Sequence, residues 1–254
     1  MYYTAELAAT INGETRAELP PPQRLTGVRS LPSMPIMEPS DFLAELDRAV
    51  QSRLDTIGES AAGAEPGAHL GVPELLATAL KKELEATEEA ALWLVSEPDV
   101  EVKLALARQC GDEAKHYRLI EARLRELGVD TVNAQAQIGD PSPMFKYLAG
   151  LTTTVERVAA GQFTREALAR VLNEAFIDHC EAKGDADTAR LYREIIQPDE
   201  AHHHELGRRL LLRLAVTDEE QARARTAALR TLEIAQEIQE VARLKKGIAR
   251  APGC

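Results

Sequence analysis

Two stretches of this sequence match: Asp112-Glu113-Ala114-Lys115-His116 and Asp199-Glu200-Ala201-His202-His203. Each reads Asp-Glu-Ala-x-His and sets a Glu three residues before a His. On a helix that spacing stacks the two side chains on one face, a turn apart. The face of Glu113 and His116 continues through Val102, Leu106, Gln109, Ile120, Leu124 and Leu127, which is mostly apolar. A Glu and a His on a buried stripe must be paired or metal-bound, because an isolated charge there is costly. Any fold of this chain therefore has to be helical at both stretches and has to bring charged partners to them.

The surrounding sequence supplies two helical hairpins, each with the motif in its second member. Pro73 suits a first helical position, and a helix from there to about Glu97 is stopped by Pro98. A second runs from about Asp99 to Leu127 and ends at Gly128. At 1.5 Å per residue each is roughly 40 Å long. The tight Ser96–Asp99 turn makes the two antiparallel neighbours. The second hairpin opens at Thr164, read as an N-cap, runs to about Lys183, turns at Gly184-Asp185-Ala186-Asp187 and returns to about Leu214. Between the hairpins lie a connection over 128–142 and a helical segment Met144–Ala160, with Gly161 as its break.

Three further pieces flank this bundle. Residues 1–39 carry Pro20, Pro21, Pro22, Pro32, Pro35 and Pro39 and read as an extended arm. Ser40 reads as an N-cap with Asp41 in the first turn, opening an accessory helix that ends near Gly58, with a loop to residue 72. Thr217-Asp218-Glu219-Glu220 has the form of a capping box and opens a last helix packed on the bundle, with a loose tail from Lys245 to Cys254. The expected organisation is arm 1–39, accessory helix and loop 40–72, bundle 73–214, and final helix and tail 215–254. No stretch alternates apolar and polar residues long enough for a strand, so the fold class is all-α. It is a four-helix bundle with an added N-terminal helix, a crossover helix and a long C-terminal helix.

Composition narrows the partners. The net charge of −11 disfavours broad nucleic-acid binding, which needs a basic footprint. Cys110, Cys180 and Cys254 are far apart and form no CxxC, which suggests a reducing, cytoplasmic setting without a disulfide framework. No apolar run approaches membrane-spanning length, and Met1–Glu6 lacks the basic and apolar regions of a signal peptide.

The ligand candidates follow from periodicity. The second helix offers Glu113 and His116, the fourth Glu200 and His203. His202 and His204 point about 100° to either side of His203, and Pro198 should kink or bulge the fourth helix just before the motif. On the first helix Glu83 shares a face with Leu76, Ala79, Leu80, Thr87, Ala90 and Leu94. Glu85 sits with Lys81, Lys82, Glu88 and Glu89 on what reads as a solvated face, and Glu88 is the weaker candidate. The third helix offers Glu174, preferred because its distance from the turn matches that of Glu200. Asp178 is the alternative, and Glu166 and Glu181 are further options. His179, Trp93, Leu84, Tyr117 and Tyr192 read mainly as packing residues, with either Tyr able to serve beside the ligands. Cys110 lies one turn before Glu113. Hard carboxylates together with imidazoles of intermediate softness suit a pair of transition-metal ions.

The set Glu83, Glu113-x-x-His116, Glu174 and Glu200-x-x-His203 resembles the ferritin-like di-iron carboxylate superfamily over about residues 73–214. Glu83-Leu84-Glu85-Ala86 and Ala175-Phe176-Ile177-Asp178 are similar to segments of tRNA-modifying di-iron hydroxylases. Leu172-Asn173-Glu174-Ala175-Phe176 is similar to the third-helix segment of aldehyde-deformylating oxygenases. The first comparison selects Asp178 and the second Glu174, while the acidic balance argues against tRNA. The resemblance implies two Fe ions, with Mn or a mixed Fe/Mn pair as variants. It implies dioxygen activation and oxidation of a small organic substrate in an apolar cavity. Electrons would come from an external reductase, since no flavin or rubredoxin-like cysteine motif is present. A monomer or homodimer fits this role. Iron or peroxide handling, as in ferritins and rubrerythrins, is the second reading, and a metal-free helical interaction protein the third.

Overall fold

Proline, glycine and capping residues cut the chain into its helices, and the computed structural model describes residues 37–63, 71–132, 139–246 and 252–253. The expected arm over 1–39 lies almost wholly outside the described residues. All regular elements among the described residues are helical. They are α1 Pro39–Gly63, α2 Val72–Ser96, α3 Val100–Glu126, α4 Pro143–Ala149, α5 Thr154–Val158, α6 Glu166–Ala182, α7 Ala186–Leu191, α8 Gln197–Leu214 and α9 Asp218–Lys246. A π-helical segment, Ala159–Arg165, joins α5 to α6, and another, Tyr192–Ile196, joins α7 to α8. The bundle thus has four rods: α2, α3, α5–α6 and α7–α8. α1, α4 and α9 are the added N-terminal, crossover and C-terminal helices.

Several boundaries follow from local chemistry. Asp99 caps α3 by accepting the Val102 N–H at 3.0 Å, and Arg213 on α8 clamps the same carboxylate with two hydrogen bonds of 2.6 and 2.8 Å. Asp185 caps α7 through the Thr188 N–H and also accepts from Arg123 on α3, which ties the turn of the second hairpin to the first. The Thr217/Glu220 capping box is formed in both directions.

Three expected boundaries move. α1 begins at Pro39, with Ser40 already inside it, and runs past Gly58, whose missing side chain lets it lie against Val171. The break before the third rod is not at Gly161. It lies over Gly150–Thr153, where the Gly150 N–H bonds back to Tyr147 and Thr153 forms a reciprocal capping box with Glu156. Thr164 is therefore no N-cap: it sits fully buried inside the π segment. The end of the chain is also not uniformly loose, since Pro252 and Gly253 are buried.

Two apolar clusters fill the interior. One holds Phe42, Leu46, Trp93, Leu106, Phe163 and Leu211; the other holds Leu76, Leu80, Ile120, Leu124, Phe176 and Tyr192. Each such side chain contributes about 1.5–3 kcal/mol through burial. Along α2, α3 and the fourth rod, the chain passes from one cluster to the other through a short buried polar stretch. Those stretches contain Glu83, Glu113 with His116, and Glu200 with His203.

The third and fourth rods touch at backbone level. A side chain on Gly207 would place its Cβ 2.6 Å from the Phe163 nitrogen and 2.7 Å from the Gln162 carbonyl carbon. Those are backbone atoms of the π segment and cannot swing aside. Gly207→Ala should therefore cost about 2 kcal/mol by overpacking. The thermal midpoint should fall by about 4–8 °C, measurable by calorimetry.

Candidate metal centre

The polar stretches converge. The ligand-type atoms of Glu83, Glu113, His116 and Glu200 all lie within 4.8 Å of one another, and so do those of Glu113, Glu166, Glu200 and His203. Glu113 and Glu200 belong to both groups, and every member is buried. The arrangement is two adjacent four-residue nests sharing two carboxylates, with Glu83 and His116 completing one and Glu166 and His203 the other.

The imidazoles are oriented by the motif itself. His116 turns Nδ1 toward Glu113 at 3.3 Å and Glu83 at 3.5 Å, while its Nε2 pairs with Asp199 at 3.1 Å. His203 turns Nδ1 toward Glu200 at 3.6 Å and toward Glu113 and Glu166 at 3.8 Å, while its Nε2 pairs with Asp112 at 3.1 Å. The Asp of each motif thus holds the His of the other. An Asp accepting the Nε2–H leaves Nδ1 as the free donor atom, the orientation in which imidazole binds a metal. Lys115 links both aspartates, donating to Asp199 at 2.5 Å and lying 3.7 Å from Asp112. Asp199 is partly buried, which would raise it, but Lys115 and His116 hold it below the ordinary carboxylate range.

The third rod presents Glu166, not the expected Glu174. Glu174, Asp178 and Glu181 are all exposed; Glu174 accepts a hydrogen bond from Gln197, and Glu181 pairs with Arg193. The inward stripe of α6 is Glu166, Ala169, Asn173, Phe176, Ile177 and Cys180. Glu174 stands about 100° around the helix from Asn173. Taking Gly161 as a break made Glu166 a first-turn residue. The π segment carries the rod through Gly161 and gives Glu166 a position in mid-rod. Pro198, by contrast, lies directly after a π segment, as its ring requires a displaced preceding turn.

Beside Glu166 lies a buried network of Gln109, Gln162, Arg165 and Glu89. Gln109 donates to Glu166 at 2.5 Å and Gln162 donates to Gln109 at 3.0 Å. Arg165 bonds Glu166 at 3.1 Å and Glu89 at 2.5 Å. Glu89 had read as part of a solvated face, yet it is 2% exposed, because buried Arg165 compensates it. Glu88 is exposed, and Glu85 accepts the Ser142 N–H at 2.8 Å. The remaining candidates sit outside the nests. His204 lies against the Phe163 carbonyl, His202 packs edge-on to His203, His179 stacks on Phe176 and Tyr192 meets Phe176 edge-on. Tyr117 is partly buried beneath Arg118, and the Cys110 thiol faces the Thr87 carbonyl.

The donor set fits a pair of metal ions. Both oxygens of Glu83 and the Nδ1 of His203 are buried without a hydrogen bond. Burial pushes Glu83 up to about 7 and, with Glu113 and Glu166 nearby, raises Glu200 well above its ordinary value. Burial would lower both histidines, but Glu113 and Glu83 push His116 up to about 12, and Glu166 with other carboxylates pushes His203 up to about 9. Burial would raise Glu166 too, but Glu200, Arg165 and His203 bring it below the ordinary range. Protons thus supply part of the positive charge that the carboxylates demand.

A cleft of about 310 Å³ opens beside this centre between α1, α6 and α8. Asp47, Gln51, Arg170, Glu174, Gln197 and His204 line it together with apolar residues. None of the residues of the two nests lines it.

No family model matches the sequence, and no curated protein matches it. A crystal structure of a domain of unknown function with a heme oxygenase-like fold, from Shewanella denitrificans, is similar to this chain. The TM-score is 0.61 at 13% identity, over 82% of this chain and 96% of that one. This likeness supports an all-helical, heme oxygenase-like fold and does not extend to activity. Among the described residues, no helix is long and apolar enough to cross a membrane.

The protonation pattern sets a pH dependence. Glu83 and Glu89 are raised from 4.5 to about 7, so folding favours their acid forms, and that stabilisation is lost as pH rises from 4.5 to 7. His203 is raised from 6.5 to about 9, so its contribution is full below pH 6.5 and lost as pH rises through 9. Metal-free protein should therefore melt at progressively lower temperature from pH 5 to pH 9. Mn(II) binding displaces the protons of Glu83 and His203, so loaded protein should be flatter over the same range in paired calorimetric scans.

Proposed function

We propose that the protein is a di-metal oxidoreductase that activates dioxygen to oxidise a small organic substrate, with two Fe ions as its natural metals. The observation that carries this reading is the pair of buried nests sharing Glu113 and Glu200. Glu83 and His116 would hold one ion, Glu166 and His203 the other, and Glu113 and Glu200 would bridge them. Bound iron would supply the redox chemistry and the open coordination positions for dioxygen.

The chain's own residues have defined tasks in this reading. Asp199 and Asp112 accept the Nε2 protons of His116 and His203 and keep both Nδ1 atoms turned inward. Lys115 balances the two aspartates from the more exposed side. Arg165 and Gln109 hold Glu166 in its ionised, ligating form from the side away from His203's ring. The apolar clusters above and below exclude bulk water from the nests, which strengthens every charge interaction within them.

Electrons would arrive from an external reductase. Cys110 and Cys180 are free thiols on different helices and offer no redox pair among the described residues.

The reading makes Glu166 a ligand and Glu174 a bystander. Iron bound per chain, measured by metal analysis after anaerobic loading, should be about two for the unaltered protein and for Glu174→Ala. Glu166→Ala should retain about one, and Glu113→Ala should bind iron at least about tenfold more weakly, the scale at which even supporting residues of metal sites matter. Full loading of Glu166→Ala alongside loss in Glu174→Ala would contradict the assignment.

A further inference from the structure

Two turns beyond Glu166 on the inward stripe of α6 stands Asn173, an amide with no exposed surface. Its Oδ1 accepts the Gly253 N–H at 2.8 Å. Lys82, next to Glu83 on α2, donates from Nζ to the Gly253 carbonyl at 3.2 Å. One residue's backbone is therefore gripped at both of its polar ends. Gly253 has φ near 90°, a conformation natural to glycine. A Cβ there would stand 3.0 Å from Glu83 Oε1 and 3.4 Å from Lys82 Cδ. The gripped unit thus lies directly against the carboxylate of a candidate metal ligand, where a Cβ would press on Glu83 and Lys82.

One polar group at this place remains unused: the Nδ2 of Asn173 is buried without an acceptor. A buried amide donor left without an acceptor destabilises the fold. Its presence beside a gripped backbone unit argues for a ligand with an acceptor oxygen more than the segment itself provides.

We propose that Asn173 and Lys82 form a subsite beside Glu83 for a small amide-bearing ligand. The gripped unit is N–H, a carbon without a substituent, then C=O, as in a glycyl amide, and the Pro252–Gly253 segment fills the subsite in cis. Asn173 Oδ1 takes the ligand's N–H, Lys82 takes its carbonyl oxygen, and Asn173 Nδ2 is free for a second oxygen. That the subsite presents its ligand to metal ions rests on the proposed function; the binding itself does not.

Full-length chain provides the test. The Gly253 amide should be protected from hydrogen exchange in the unaltered protein and exposed in Asn173→Leu. Gly253→Leu should drive the segment out, since its Cβ would crowd Glu83. N-acetyl-prolyl-glycinamide should then bind metal-free Gly253→Leu protein by calorimetric titration. Unaltered protein should bind it at least about tenfold more weakly, because a tethered occupant competes at an effective millimolar concentration. N-acetyl-prolyl-leucinamide should not bind, and adding Asn173→Leu should abolish binding in a chain whose circular dichroism is unchanged. An unprotected Gly253 amide, failure of the glycinamide to bind Gly253→Leu, or equal binding with and without Asn173 would overturn the proposal. Loss of iron stoichiometry with peptide binding intact would count against the di-metal reading and leave the subsite standing.

Discussion

Four carboxylates brought together in the buried interior are the constraint on which this fold depends. Glu83, Glu113, Glu166 and Glu200 are all fully buried and share two overlapping clusters. Two like charges about 4 Å apart repel by about 4 kcal/mol even at an effective dielectric near 20. Fully ionised, the four groups carry four negative charges. Protonating His116 and His203 cancels two of them, and raised acidities on Glu83 and Glu200 offset more. Two divalent cations would cancel all four with both imidazoles neutral. The neighbouring Arg165 adds a positive charge that Glu89 and Glu166 share.

The rest of the architecture serves this charge problem. The crossed Asp–His pairs let each motif orient the other, so neither half of the centre is complete alone. This reciprocity explains why the same five-residue pattern occurs twice. The two π segments place Glu166 and the Glu200–His203 pair at heights that regular helices of the same length would miss. Gly207 allows the rods carrying them to approach at backbone distance. The apolar clusters on either side then seal the polar stretch within a continuous core.

Much of this was legible in the sequence. The helix-period stripes around Glu83 and around Glu113 and His116, with the proline and glycine stops at Pro98, Gly128 and Gly184, marked the all-helical class and both hairpins. Glu174 is the residue whose distance from the turn matches that of Glu200, and a helix opening at Thr164 puts Glu166 in its first turn. The deciding signal was present, since Glu166, Asn173 and Cys180 repeat at seven-residue spacing along the apolar face. Glu89 misled for another reason. Its sequence neighbours are charged, but its actual partner, Arg165, lies seventy-six residues away on another rod. The burial of Gly253 against Glu83 likewise depends on tertiary contacts that no local pattern announces.

The central claim is that Glu113 and Glu200 bridge two metal ions. Anomalous diffraction at the iron edge, from crystals grown with Fe(II) under anaerobic conditions, tests it most directly. The account predicts two peaks about 3.5–4 Å apart, the spacing typical of two-metal sites. Both Glu113 and Glu200 should contact both peaks, with Glu83 and His116 at one and Glu166 and His203 at the other. A single peak, peaks outside the cluster, or no iron at full occupancy of the crystals would contradict it.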